Sequence, residues 1–119
     1  RAEFDAVATA FFLDTASMVP EYVVRIAELL RPGGVWVNVG PLHFHWADVE
    51  EGERESDGRF AASMELSWDT LKAVIQRAGF EFVEAEAMVE MGYTSNRRSS
   101  VQTVFKCVHF VARRKCARD

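Results

Sequence analysis

The stretch Val35 to His45, VWVNVGPLHFH, decides the fold of this chain. Its first five residues are mostly β-branched or aromatic, a composition that favours a strand, and Gly40 and Pro41 end the run. His43 and His45 follow directly. The stretch therefore predicts a buried strand that delivers two histidines to the rim of a sheet.

The segments before this strand predict a parallel unit. Residues 4–13, FDAVATAFFL, are almost all apolar, which predicts a strand buried on both faces. Residues 19–30 carry their apolar side chains on one helical stripe, and the RPGG of residues 31–34 ends that helix. Strand, helix and strand with short links form a βαβ unit, whose two strands run parallel.

Short polar residues and glycine predict where the helices begin and end. Thr15 or Ser17 can cap the first helix, and Pro20 suits its first turn. Ser67 is the predicted cap of a second helix, which Gly79 ends.

The last third of the chain predicts two antiparallel strands. Residues 80–91 alternate loosely between apolar and polar, and residues 103–112 form a second apolar run. The link between them is polar and has no room for a crossover helix, so the two strands must be antiparallel. The order is then β-α-β-α-β-β, an α/β fold with a mostly parallel sheet and one reversed strand.

Composition limits the classes of protein that remain. The chain has 119 residues, 49% of them hydrophobic and 27% charged, which is typical of a single soluble globular domain. A net charge of −4 gives no electrostatic case for nucleic acid, and no apolar run approaches the ~20 residues that span a membrane. Residues 50–60 predict a mobile charged loop, and residues 113–119 a tail.

The chain contains two cysteines, Cys107 and Cys116, and no CxxC motif. This usage predicts reduced thiols in an intracellular compartment. We expect a cytoplasmic protein, with the nucleus as a second location beside the cytoplasm.

Polar residues follow the first two strands and predict a ligand site. Asp14 comes after the first strand, and His43 and His45 come after the second. The carboxyl ends of neighbouring parallel strands meet at one edge of a sheet, where ligands bind. The two histidines of the HxH sequence, His43 and His45, could suggest a metal site together with Asp48. Asp48 is not a clear third ligand, however, so we expect no metal.

Four segments carry a resemblance to a known family. The element order resembles the C-terminal half of a Rossmann-like class I S-adenosylmethionine-dependent methyltransferase, and RPGG matches the helix stop before the fifth strand of that superfamily. More narrowly, the chain resembles the carnosine N-methyltransferases. The resemblance covers nearly the whole chain, and four segments carry it: FFLDTA (residues 11–16), RPGGVWVNVGPLHFH (31–45), ELSWDTLK (65–72) and FKCVHFVARR (105–114).

The resemblance implies a reaction and the residues that perform it. The intact protein is expected to methylate an imidazole nitrogen of a histidine-containing dipeptide such as carnosine. Asp14 matches the family's substrate-binding aspartate and His45 its active-site histidine, which makes them the predicted catalytic pair. Tyr93 matches a tyrosine before the last strand, and Phe105, at a position where the family carries tyrosine, is the fourth predicted substrate contact. Thr103 also replaces a tyrosine, and these departures leave another imidazole or small amine as the alternative acceptor.

The resemblance also implies a cofactor, S-adenosylmethionine. Leu13 and its neighbours are expected to touch the methionine end of that cofactor. The superfamily's glycine-rich loop has no counterpart in this sequence, so we expect the main cofactor site outside this partial domain and expect the chain alone to be inactive.

The expected partner is a small-molecule substrate, the dipeptide. The first strand should expose an unpaired apolar edge, which predicts self-association or a homodimer. A non-catalytic, truncated module that binds a partner chain is the alternative function.

Overall fold

The computed structural model describes residues 3–16, 18–42, 66–92 and 97–116. The chain forms two α-helices and four strands in these ranges, and a short 3-10 turn at Leu13–Thr15. In chain order they are β1 (Phe4–Ala10), α1 (Val19–Leu29), β2 (Leu30–Gly40), α2 (Trp68–Arg77), β3 (Phe80–Gly92) and β4 (Val104–Arg114). The predicted order β-α-β-α-β-β is confirmed.

The four strands form one sheet in the order β1-β2-β4-β3. β1 and β2 are parallel, while β4 is antiparallel to both of its neighbours, β2 and β3. β3 therefore points the same way as β1 and β2, and β4 is the single reversed strand. The mostly parallel sheet with one reversed strand is confirmed.

β2 begins five residues earlier than the sequence predicted. The segment Arg31 to Gly34, expected only to end the helix, lies inside the strand as an irregular insertion opposite Asp5. Pairing runs from Phe4 with Leu30 directly to Ala6 with Val35. The backbone packs closely here because a Cβ on Gly34 would lie 2.8 Å from the carbonyl oxygen of Arg31.

α1 is amphipathic, as predicted, but its cap differs. The buried side of the helix carries Val19, Val23, Ile26 and Ala27, and Pro20 lies in the first turn as expected. The N-cap is Met18, without a side-chain cap bond.

The prediction that Thr15 caps α1 is wrong. Its hydroxyl instead donates to the carbonyl oxygen of Phe12 at 2.6 Å. Ser17 lies outside the described residues.

The ends of α2 are as predicted. The hydroxyl of Ser67 accepts the backbone N–H of Thr70 at 3.3 Å, which caps the helix, and Asp69 lies in its first turn. Gly79 follows the C-cap with φ of 101°, the left-handed conformation that glycine adopts most easily.

The core lies between the two helices and one face of the sheet. Trp36 is fully buried at its centre, as expected of a core aromatic. Its ring meets that of Phe110 edge-on with centroids 4.8 Å apart, and that of Phe80 at 5.4 Å. Leu71 and Ile75 of α2 complete this packing without measurable exposure.

β1 is not buried on both faces, so that prediction is wrong. Thr9 is its single buried residue, Val7 is half-buried, and the remaining residues of β1 are exposed. Ala6, Ala8 and Ala10 share one face of β1 and are all exposed, so no described element covers that face. Among the described strands β1 lies at the edge of the sheet, beside β2. The strand also ends at Ala10, three residues before the predicted end.

The predicted tail begins later than residue 113. Arg113 and Arg114 are the last residues of β4, and both are half-buried. The guanidinium of Arg113 pairs with Glu81 of β3, with Nε 2.7 Å from the carboxylate, and Arg114 donates to the carbonyl oxygen of Leu30. The charged loop predicted at residues 50–60 lies outside the described residues. In the described ranges, no helix is long and apolar enough to cross a membrane.

Candidate active site

Asp14 lies where the sequence predicted it, beyond the carboxyl end of β1. It is the middle residue of the 3-10 turn Leu13–Thr15, and it is only 3% exposed. Carboxylates are rarely buried to this degree in a protein unless a partner or a functional site holds them there. The position and burial of Asp14 therefore make it the first candidate for a site residue.

Phe105 lies near the same turn although it is distant in sequence. It is half-buried at the start of β4, and its ring meets the ring of Phe11 edge-on, with centroids 5.9 Å apart and an interplanar angle of 78°. Phe11 precedes Asp14 by three residues, so this contact joins the beginning of β4 to the segment that carries the buried acid.

Cys107 adds a thiol to this group. It is fully buried two residues after Phe105, on the same face of β4. Burial, and secondarily the negative charge of Asp14, raise the pKa of the Cys107 thiol above its ordinary value of 9.0. Asp14 is therefore within electrostatic reach of β4, and Cys107 stays a neutral thiol near pH 7.

A separate cavity of about 670 Å³ opens at the carboxyl end of β2. Its described walls come from the end of β2, the start of α2, and strands β3 and β4: Pro41, Leu42, Leu66, Ser67, Trp68, Ala87, Met88, Phe105, Lys106 and Val108. Most of this lining is apolar, and Lys106 contributes a cation. Asp14 is not among the described lining residues, and Phe105 is the one predicted site residue that is.

Several predicted residues lie outside the described ranges. These are His43, His45, Asp48 and Tyr93. The pairing of Asp14 with His45 across the strand ends therefore stays a prediction. In the parts of the chain that the structure describes, no group of three His, Cys, Asp or Glu side chains could hold a metal ion.

Leu13 and Thr103 occupy different surroundings. Leu13 is 2% exposed and belongs to the hydrophobic core, with Val19 and Val23 among its members. Its predicted contact with the cofactor stays a prediction. Thr103 is exposed just before β4.

Sequence reasoning missed two members of this group, Phe11 and Cys107. Phe11 was assigned to a continuous strand, because a phenylalanine pair in an apolar run is typical of one. Cys107 lies in the apolar run of residues 103–112, which by itself predicts no more than a buried side chain. Its spacing from Phe105 was a usable signal, since residues two apart share one face of a strand.

The match to known families covers this whole arrangement. A family model described as carnosine N-methyltransferase matches residues 1–116, which include every element of the sheet and the buried Asp14. The chain belongs to the carnosine N-methyltransferase family.

Relatives in distant organisms agree with this assignment. The carnosine N-methyltransferase of Dictyostelium discoideum is 37% identical over 108 residues, which are 91% of this chain and 21% of that protein. The one from Rattus norvegicus is 35% identical over 111 residues, or 93% of this chain and 26% of that protein. The chain thus spans about a quarter of the length of these family members.

Solved structures show the same fold at low sequence identity. A S-adenosylmethionine-dependent methyltransferase of Methanosarcina mazei aligns with a TM-score of 0.55 at 14% identity, over 94% of this chain and 59% of that one. Another, from Thermotoga maritima, aligns with a TM-score of 0.52 at 15% identity, over 94% of this chain and 56% of that one. The α/β architecture is therefore part of a Rossmann-like methyltransferase fold.

Proposed function

We propose that the intact protein transfers a methyl group from S-adenosylmethionine to an imidazole nitrogen of a histidine-containing dipeptide such as carnosine. The observation that carries the proposal is the family match over residues 1–116, which includes a carboxylate buried at a strand end. Both the activity and the substrate are proposals for the whole protein, of which this chain supplies the acceptor side.

Methylation of an imidazole requires that the acceptor is held in one orientation and that its proton is accepted by another group. An imidazole has two nitrogens, and a carboxylate that accepts the N–H of one leaves the other as the nucleophile. Asp14 suits this role because burial fixes its position and strengthens its hydrogen bonds. His45 is proposed to accept or relay the proton that the acceptor loses, since histidine titrates near neutral pH. Tyr93 and Phe105 are proposed to line the acceptor site.

When bound, S-adenosylmethionine would supply a methyl group on a sulfonium: an unprotonated nitrogen forms the new bond to the methyl carbon in line as the carbon–sulfur bond breaks, and S-adenosylhomocysteine is the leaving group. The described residues do not fit a cradle for this cofactor, because no strand among them leads into a glycine-rich turn. No described residue is therefore assigned to its main binding site. Leu13 is retained only as the predicted contact with its methionine end.

Phe105 bears on the choice of acceptor. Its ring lines the cavity and contacts Phe11, but it lacks the hydroxyl that the family carries at this position. A site built around one hydrogen bond discriminates strongly by that bond. A related imidazole or a peptide amine is therefore a second proposed acceptor.

The test compares Asp14 with an exposed aspartate in the same protein. In the intact protein, Asp14→Asn and His45→Ala should each lower kcat/KM for carnosine about 100-fold or more. Asp5→Asn is the matched control, because Asp5 is exposed on β1 and pairs with Arg31 at the surface. Thermal unfolding of each variant shows whether it is folded. Activity of Asp14→Asn or His45→Ala within a few-fold of wild type would refute the assigned roles.

One observation favours a second function, a non-catalytic module that binds a partner chain. Among the described strands β1 lies at one edge of the sheet, and its exposed Ala6, Ala8 and Ala10 would face such a partner. Calorimetric titration with S-adenosylmethionine separates the two, since the catalytic proposal requires the intact protein to bind the cofactor. A cytoplasmic location remains part of the proposal.

A further inference from the structure

The residue that follows β1 has an unusual backbone conformation. Phe11 follows the last strand residue, Ala10, and its φ of 51° lies in the left-handed region. L-residues other than glycine, asparagine and aspartate avoid this region because Cβ crowds the following carbonyl. Such outliers persist only when surrounding contacts hold them, and they concentrate at functional sites.

Contacts with β2 hold Phe11 in this conformation. Its N–H donates a 2.9 Å hydrogen bond to the carbonyl oxygen of Val39. The next residue of β2, Gly40, lies directly against it: a Cβ on Gly40 would be 2.9 Å from the nitrogen of Phe11 and 3.0 Å from its Cα. Only a residue without a side chain permits this close approach of the two parallel strand ends.

The left-handed residue separates the two adjacent phenylalanine rings. The ring of Phe11 meets Phe105 on β4, whereas the ring of Phe12 stacks on Tyr22 of α1 with centroids 5.0 Å apart. The chain then enters the 3-10 turn in which Asp14 is buried.

We propose that Phe11 is a positioning residue for acceptor binding: its backbone turns the chain so that Asp14 is buried at the strand ends, and its ring fixes Phe105 at the acceptor site. The proposal rests on the proposed function for the identity of the acceptor. The positioning itself rests on the contacts of Phe11 with Val39, Gly40 and Phe105.

The kinetic test uses two matched substitutions in the intact protein. Phe11→Leu keeps an apolar side chain but removes the aromatic contact with Phe105, and should raise KM for carnosine about three- to tenfold. Its kcat and its KM for S-adenosylmethionine should stay within about twofold of wild type. Phe12→Leu removes a comparable ring contact on the α1 side, so it should leave KM for carnosine unchanged.

A second readout needs no methyltransferase activity. Cys107 is fully buried, and its thiol lies 3.7 Å from the carbonyl oxygen of Phe105, so loosening of this segment should expose it. Alkylation of Cys107, followed by mass spectrometry of its peptide, should be about tenfold faster in Phe11→Leu than in wild type and unchanged in Phe12→Leu. Gly40→Ala, which forces the backbone of Phe11 to move, should accelerate it at least as much.

The outcomes separate the two proposals. Equal effects of Phe11→Leu and Phe12→Leu on KM for carnosine, or wild-type alkylation of Cys107 in both Phe11→Leu and Gly40→Ala, would overturn the positioning role. If wild-type protein methylates no imidazole acceptor, the proposed function fails, and the alkylation experiment alone decides whether Phe11 positions this segment.

Discussion

The hydroxyl of Thr9 donates a 2.7 Å hydrogen bond to the side-chain carbonyl of Asn38, and both residues are buried. The same hydroxyl oxygen accepts the indole N–H of Trp36 at 2.9 Å, and the amide of Asn38 donates to the carbonyl oxygen of Val108 at 3.3 Å. One chain of hydrogen bonds thus connects β1, β2 and β4 inside an otherwise apolar core. It satisfies each polar group and fixes the lateral order of the three strands.

Removing the hydroxyl of Thr9 should destabilise the protein. Thr9→Val keeps the shape of the side chain, but it leaves the buried indole N–H and the Asn38 oxygen without this partner. We expect a loss of about 1–3 kcal/mol in the free energy of unfolding. Chemical denaturation measures it, and Thr9→Ser, which retains the hydroxyl, should lose much less. A loss in Thr9→Val that is no larger than the loss in Thr9→Ser would contradict a dominant contribution from the hydrogen bonds.

Met88 is strained, and glycine should relieve that strain. It lies where the register between β3 and β4 shifts, and its φ is 64° although it is not glycine. Its side chain is 64% exposed and so contributes little to the core. Met88→Gly should raise the free energy of unfolding by about 1 kcal/mol. Met88→Ala is the control, since alanine keeps the Cβ that causes the strain; an equal gain from alanine would contradict this explanation.

Cys107 should make stability fall at high pH. Burial first and the charge of Asp14 second raise the pKa of its thiol above 9.0 in the folded protein. Above pH 9.0 the unfolded chain releases this proton while the folded protein retains it, so the free energy of unfolding falls as pH rises through the folded-state pKa. Denaturation from pH 7 to 11 should therefore show a steeper decline for wild type than for Cys107→Ala.

A thiol titration offers a check on the two causes. Asp14→Asn removes the smaller one, so the pKa of Cys107 should fall but stay above its ordinary value. An unchanged pKa in Asp14→Asn would mean that the carboxylate does not act on this thiol. Exposed Cys116 should be replaced by serine in this experiment, so that the signal comes from Cys107 alone.

Hydrophobic periodicity, capping residues and helix-ending glycines predicted the helices and strands, whereas they did not predict the order of the strands in the sheet. The Ser67 cap, the left-handed Gly79 and the core position of Trp36 are local properties that the sequence states directly. The insertion of β4 between β2 and β3 is not local, because an antiparallel pair predicts only that β3 and β4 are neighbours. The exposure of β1 was missed for a related reason: an apolar run predicts a strand covered on both faces, but which elements pack against each face is not a local property.

The candidate site also contains residues that the sequence predicted and residues that it could not predict. Asp14 and Phe105 were predicted from motifs, and the structure joins their segments through Phe11. Phe11 itself could not be predicted, since its left-handed conformation depends on Gly40 of another strand. The cavity beside Phe105 likewise forms only where four elements meet, so no single segment of sequence predicts it.

The two edges of the sheet differ in how they resist association. β3 carries exposed glutamates, Glu84 and Glu90 among them, which discourage pairing with another strand. β1 has Ala6, Ala8 and Ala10 exposed. A largely apolar groove runs along it, lined by Val7, Ala8, Thr9, Ala10, Phe12, Ile26 and Leu29. Self-association should therefore occur through β1.

The 119-residue chain expressed by itself tests this directly. Sedimentation velocity should show a weight-average mass that rises with protein concentration, and the unfolding midpoint should rise with it. Ala8→Lys places a charge on the edge strand, where lysine blocks strand pairing, and should shift the equilibrium towards monomer. Ala73→Lys is the matched control, because Ala73 is exposed on α2, away from that edge. A wild-type monomer with a sharp, concentration-independent unfolding transition would contradict association through β1, and so would equal effects of the two lysine substitutions.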